Sequence, residues 1–205
     1  MKATDSSKYS ILHVANLPEW AVDLPERVTM IADVSPEAMA RELTLIDKEL
    51  FLMIHESELV DCMWMKPDKH SKAPNVMRLI EFFERVVRTV SAEIVKKNYD
   101  WARASAMAYF TTVAEKCFEL QNFHSLKAIL CGMQVPSIYR LQYSWCDFEE
   151  QYPDEHKVYN KLAHLMVDEG CSPEYFAHLE RAELNPPLLT IPWSFLQEFN
   201  WSLHC

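Results

Sequence analysis

The chain has 205 residues, 49% of them hydrophobic, and a formal net charge of -10, which suits one globular domain able to bury a core without staples. That acidic balance argues against nucleic acid as a partner, because neutralising phosphates takes a clustered excess of Lys and Arg. Only two glycines occur, Gly132 and Gly170, so a glycine-rich phosphate cradle of the P-loop or dinucleotide-binding kind cannot be built.

In chain order, residues 1–34 are interrupted by Leu17-Pro18 and Leu24-Pro25, with Val28, Met30 and Ile31 reading as a short extended lead-in. From residue 36 to about 51, Met39, Leu43, Ile46 and Leu50 keep a helical stripe. Ser35 can cap its start, Pro36 loses no hydrogen bond at the first helical position, and Glu37 suits the positive end of the dipole. A short helix is expected over 56–63, then a polar loop over 66–72. Asn75 is placed to cap the next helix, in which Val76, Leu79, Ile80, Phe83, Val87, Val90 and Ile94 recur at three- and four-residue steps. A second long helix is expected from 101 to about 120, with Ala104, Met107, Ala108, Val113, Cys117 and Phe118 on its apolar side.

Leu126, Ile129, Leu130 and Met133 mark a further helix, with Gly132 where it winds down and Pro136 blocking its continuation before a second apolar cluster at Ile138 and Leu141. Trp145 and Phe148 lead into Tyr152-Pro153, and a helix near 154–168 points Val158, Leu162, Leu165 and Met166 inward. Gly170 supplies a stop, and Ser172-Pro173-Glu174 opens a last helix to about 182. With so few glycines and so many Glu, Lys, Leu, Met and Ala residues, the expected fold is all-α.

No bond-breaking constellation is visible. GxSxG and HExxH are absent, and His156 and His164 are two helical turns apart, too far to ligate jointly. The six cysteines include no CxxC pair, and Cys117 and Cys131 read as reduced core thiols. The acidic pairs Glu149-Glu150 and Glu180/Glu183 read as solvated faces. No metal or cofactor is expected. No apolar stretch approaches the roughly 18–20 residues needed to span a bilayer, and the N-terminus lacks a signal-like apolar core, so a soluble cytoplasmic protein is expected.

Four ordered blocks carry a more specific message. They are Ser35-Pro36-Glu37-Ala38-Met39-Ala40-Arg41-Glu42-Leu43-Thr44-Leu45, then Trp64-Met65-Lys66 running to Ala73-Pro74-Asn75-Val76, then Asn122-Phe123-His124-Ser125-Leu126 running to Pro136-Ser137-Ile138-Tyr139-Arg140-Leu141, and Leu184-Asn185-Pro186-Pro187. In this order they closely resemble the catalytic domain of Ras-type guanine nucleotide exchange factors. The resemblance implies a single multi-helix domain over 35–187, with 1–34 as lead-in and 188–205 as a divergent apolar tail. It also implies a small GTPase of the Ras, Rap or Ral type as partner, bound through its switch 2 segment.

Carried over residue by residue, the resemblance places Ile80 and Tyr175 in an apolar switch 2 pocket. Gln134, where the family usually has Asn, and Tyr139 fall at positions making polar contacts with switch 2, Arg140 anchors the turn, and Trp193 stands for the aromatic that begins an inserting hairpin. After Asn185-Pro186-Pro187 the chain departs from the family pattern, reading Leu188-Leu189-Thr190-Ile191-Pro192-Trp193 and ending at Cys205 without a recognisable inserting helix. The resemblance as a whole implies guanine nucleotide exchange on a Ras-family GTPase by stabilising its nucleotide-free form, whereas this departure implies the alternative of weak or absent exchange, with the domain then serving as a GTPase-binding or scaffold module.

Overall fold

The computed structural model describes residues 31–166, and the expectations for 1–30 and 167–205, including the helix from 172, lie outside the described residues. Among the described residues there are nine α-helices and no strand. They are α1 Pro36–Leu52, α2 Glu56–Leu59, α3 Lys69–Lys72, α4 Pro74–Val95, α5 Asp100–Glu119, α6 Phe123–Gln134, α7 Pro136–Tyr139, α8 Gln142–Gln151 and α9 Pro153–Leu165.

The expected start of α1 is borne out: Ser35 Oγ accepts the Ala38 N–H at 3.2 Å, and Pro36 occupies the first turn. Ahead of it, Ile31–Asp33 forms a 3-10 turn and not an extended lead-in. Tyr109 of α5 fixes that turn by donating its hydroxyl to the carbonyls of Ile31, at 3.1 Å, and Val34, at 3.0 Å.

Between α1 and α4 the chain is more broken than its pattern suggests. The helix expected over 56–63 ends at Leu59, because Asp61 and Cys62 adopt left-handed backbone at φ 52 and 51 inside the 3-10 stretch Val60–Met65. The expected polar loop contains the single turn α3. Asn75 is not the cap of α4; it sits within the first turn after Pro74, and Ala73 before it offers no capping side chain. Glu58 caps the helix from 17 and 18 residues away, its Oε2 accepting the N–H groups of Asn75 at 2.8 Å and Val76 at 3.2 Å. Oε1 takes the Asn75 side-chain amide at 2.7 Å and the His55 N–H at 3.3 Å. Burial opposes the charged form, but these bonds outweigh it and hold the Glu58 carboxyl below the usual carboxylate value.

α5 ends in a Schellman turn, with the Gln121 N–H bonding to Phe118 O at 2.9 Å and the Asn122 N–H to Cys117 O at 2.8 Å. Gln121 takes the left-handed position at φ 58, where glycine is the usual residue. The chain then enters α6 at once, because Asn122 Oδ1 accepts the Ser125 N–H at 3.0 Å.

α6 is the axle of the molecule, with nine of its twelve residues buried. It runs in the same direction as α4: Phe83 meets His124 near its start, ring centroids 5.2 Å apart, and Val87 and Val90 meet Gly132 near its end. Gly132 lies in the last turn of α6, where the helix was expected to wind down, and it is also a point of close approach. A β-carbon there would stand 2.7 Å from Val90 Cβ and 2.9 Å from the Val87 carbonyl oxygen. α9 runs the opposite way along α6, from Tyr159 near Gln134 to Met166, whose carbonyl accepts Lys127 Nζ at 2.8 Å. Trp145 and Phe148, expected only to lead into the next helix, belong to a full helix, α8, tied to the start of α5 by Ser144 Oγ donating to Asp100 Oδ1 at 2.6 Å.

The main core draws on α1 and on α4 through α9, and a smaller separate cluster comprises Trp64, Ala73, Val76 and Met77. Inside the main body lies a polar knot that the apolar pattern does not announce. Asp47 of α1, 2% exposed, receives the Asn122 amide at 2.8 Å and the Ser125 hydroxyl, and lies 2.8 Å from His124 Nδ1. Cys117 is fully buried as expected, and burial pushes its thiol far up, which keeps it protonated and inert.

Candidate GTPase-binding surface

Three of the five residues singled out from the sequence fall within the described structure; Tyr175 and Trp193 lie outside it. Ile80 is half-buried on α4, one turn after Val76, packed against the smaller cluster of Trp64, Ala73, Val76 and Met77. Gln134 closes α6, half-buried, its Nε2 donating to the Tyr159 hydroxyl at 3.4 Å. Burial pushes the Tyr159 phenol up, so it stays protonated. Tyr139 closes α7 and is 73% exposed.

These side chains do not converge on one pocket. Ile80 precedes the Phe83–His124 contact at the start of α6, whereas Gln134 and Tyr139 follow its far end. At about 1.5 Å per residue, the length of α6 separates the two groups by roughly 18 Å. The three residues are thus spread along α4, α6 and α7 and are not gathered at one point.

α7 is held firmly enough to present Tyr139. Ile138 beside it is completely buried, the Trp145 indole N–H donates to Ile138 O at 3.1 Å, and Arg140 Nε donates back to Pro136 O at 3.0 Å. Pro136, expected only to stop α6, also opens this turn as its first residue.

More exposed rings stand at this end of the bundle than the sequence singled out. Tyr99 and Trp101, 64% and 59% exposed, stack at 6.0 Å where α4 turns into α5, and Tyr143, 79% exposed, opens α8 beside the Ser144–Asp100 bond. From the sequence Trp101 marks only the start of a helix and Tyr143 stands out in no pattern; both occupy the first turns of their helices. Glu58 was also missed, although His55 and Glu58 three residues later follow the spacing of a capping box.

A shallow depression lined by Arg41, Thr44, Leu45 and Leu120 lies between α1 and the end of α5, away from the candidate residues. Among the described residues no group of three His, Cys, Asp or Glu side chains could hold a metal ion. No described helix is long and apolar enough to cross a membrane.

Comparison with known proteins agrees with the helical design. The family model described as the RasGEF domain matches residues 38–199. Ras guanine nucleotide exchange factor A of Dictyostelium discoideum is 35% identical over 159 residues, which cover 78% of this chain and 25% of that protein. The Ras-specific guanine nucleotide-releasing factor RalGPS1 of Mus musculus is 34% identical over 139 residues, 68% of this chain and 23% of that protein. RalGPS2 of Homo sapiens is 32% identical over 139 residues, 68% of this chain and 23% of that protein. The chain thus spans a quarter or less of the length of these curated relatives. With its all-α architecture and a family match over most of its length, the chain belongs to the RasGEF domain family.

Proposed function

We propose that this chain is a guanine nucleotide exchange domain for a Ras-family small GTPase, and that Ile80, Gln134 and Tyr139, together with Tyr175 and Trp193, contact the GTPase. The observation that carries the reading is the family match over residues 38–199, together with the short helix α7 that leaves Tyr139 open to solvent. Such a domain needs no bond-breaking residues. A GTPase holding its nucleotide at an illustrative picomolar affinity is bound by roughly 16 kcal/mol. A partner that binds the emptied GTPase better than the loaded one lowers that affinity by the same factor, because coupling between two ligands is reciprocal. A partner with equal affinity for both states would shift nothing.

The partner is of the Ras, Rap or Ral type, and the domain comprises residues 35–187 with 188–205 as an apolar tail. A second reading is a module that grips the GTPase without releasing nucleotide. It is favoured by the run Leu188-Leu189-Thr190-Ile191-Pro192-Trp193, which departs from the pattern of the inserting hairpin. Release of a fluorescent guanine nucleotide from Ras, Rap and Ral proteins, measured with and without the 205-residue chain, separates the two. Acceleration supports exchange, tight binding of the emptied GTPase without acceleration supports the gripping module, and failure to bind any of the three defeats both.

A further inference from the structure

We propose that Glu58 is a positioning residue that sets the Ile80 end of the GTPase contact by clamping the first turn of α4 from outside the helix. This rests on the exchange-domain reading above.

The need for a clamp is local. Pro74 has no N–H to offer, Ala73 has no capping side chain, and the next two amides, Asn75 and Val76, find their acceptor only in Glu58 Oε2. The carboxylate also faces the positive pole of a 22-residue helix, where negative charge is favoured. Glu58 is 4% exposed and takes four hydrogen bonds in all, so neither oxygen has slack.

Its influence reaches Ile80 through one step of packing. Val76, whose amide Glu58 holds, belongs to the small cluster with Trp64, Ala73 and Met77, and Ile80 rests on that same cluster. The cluster is separate from the main core, so the large interior contacts that fix the rest of α4 do not fix this end. Trp64 comes from the 3-10 stretch directly after α2, so one carboxylate ties both sides of the cluster together.

Replacement by Gln keeps the shape but offers one acceptor oxygen where the site uses two, and turns an N–H₂ toward donors. Replacement by Asp is one methylene short of the helix. The test uses the 205-residue chain and nucleotide-free Ras, Rap and Ral proteins, with Glu58→Gln and Ile80→Ala made singly and together. Glu58→Gln is expected to weaken binding about tenfold, and most of that loss should vanish in the Ile80→Ala background, as coupled neighbours behave. Amide exchange should quicken at Asn75 and Val76 while the amides of α6 keep their protection.

If Glu58→Gln leaves binding unchanged, or costs the same with and without Ile80, the proposal is overturned while the exchange reading stands. If the wild-type chain binds none of the three GTPases, both fall. Should Glu58→Gln fold poorly, Asn75→Ala removes the side-chain bond to Oε1 and, besides it, only an exposed bond from Arg78 Nη1 at 3.3 Å, while both backbone bonds to Oε2 remain; a smaller loss that again depends on Ile80 is expected, and an additive loss overturns the proposal.

Discussion

Asp47 and His124 face each other across the interior, Oδ1 to Nδ1 at 2.8 Å, one from α1 and the other from the first turn of α6, with 2% and 3% of their surfaces exposed. On the other oxygen of Asp47 converge the Asn122 amide and the Ser125 hydroxyl. Asp47→Ala would strand three buried partners at once, so a loss of about 3–5 kcal/mol is expected. Urea unfolding of the two proteins measures it; a loss under about 1 kcal/mol would mean that water or repacking satisfies the knot.

Gly132→Ala pits two effects against each other. Alanine gains about 1 kcal/mol of helix propensity. Its β-carbon, however, meets the Val87 carbonyl oxygen at 2.9 Å and Val90 Cβ at 2.7 Å, and the first of these is backbone that cannot rotate away. Overpacking of this kind costs about 1–3 kcal/mol, so a net loss is expected. An unchanged or raised melting temperature would refute the close approach.

Gln121→Gly should act in the opposite direction. Left-handed backbone costs a non-glycine residue about 1–2 kcal/mol, part of which is returned through the freer unfolded chain of the glycine variant. A gain of about 0.5–1 kcal/mol is expected, read as a rise in melting temperature, with nucleotide release from the partner unaltered.

The depressed Glu58 carboxyl gives a pH dependence of definite sign. Its folded value lies below the ordinary 4.5, so its stabilisation is complete above that pH and drains away as pH falls through the folded value. The wild type should therefore lose more melting temperature than Glu58→Gln between pH 6 and the acid side of about 4. Parallel curves would show that the four bonds carry no net preference for the ionised form.

Tyr139→Ala separates binding from folding. With 73% of its surface exposed, the ring contributes little to the core, and the melting temperature should hold within about 2 °C. Affinity for the emptied GTPase should fall by tenfold or more, as truncation of an aromatic anchor does. Undiminished affinity would remove Tyr139 from the contact surface.

The long elements were legible because their apolar residues repeat at helical spacing against a nearly glycine-free background, as in α4 and α5. Ser35 announced α1 because its cap is local. Several of the misplaced features have a cause that lies far along the chain. The cap of α4 is supplied from α2, so Asn75 looked like the nearest candidate. Gly132 was read only as the place where α6 winds down, and the press of Val90 against it could not be seen from its neighbours in the chain. α8 was obscured because its stripe is short and its start is secured by Asp100 on another helix. Among the candidate contact residues, Tyr139 was singled out through the blocks of residues around it and is exposed, whereas the exposed neighbouring rings of Tyr99, Trp101 and Tyr143 carry no periodic signal.

The missing side chain at position 132 lets two backbones come nearer than ordinary helices do, and that intimacy leaves them no room to slide or roll past each other. A plate so locked would forfeit little conformational freedom on docking a partner. On the exchange-domain reading proposed above, the reshaping that accompanies loss of nucleotide would then fall mainly on the GTPase, which bends to a template that does not bend in return.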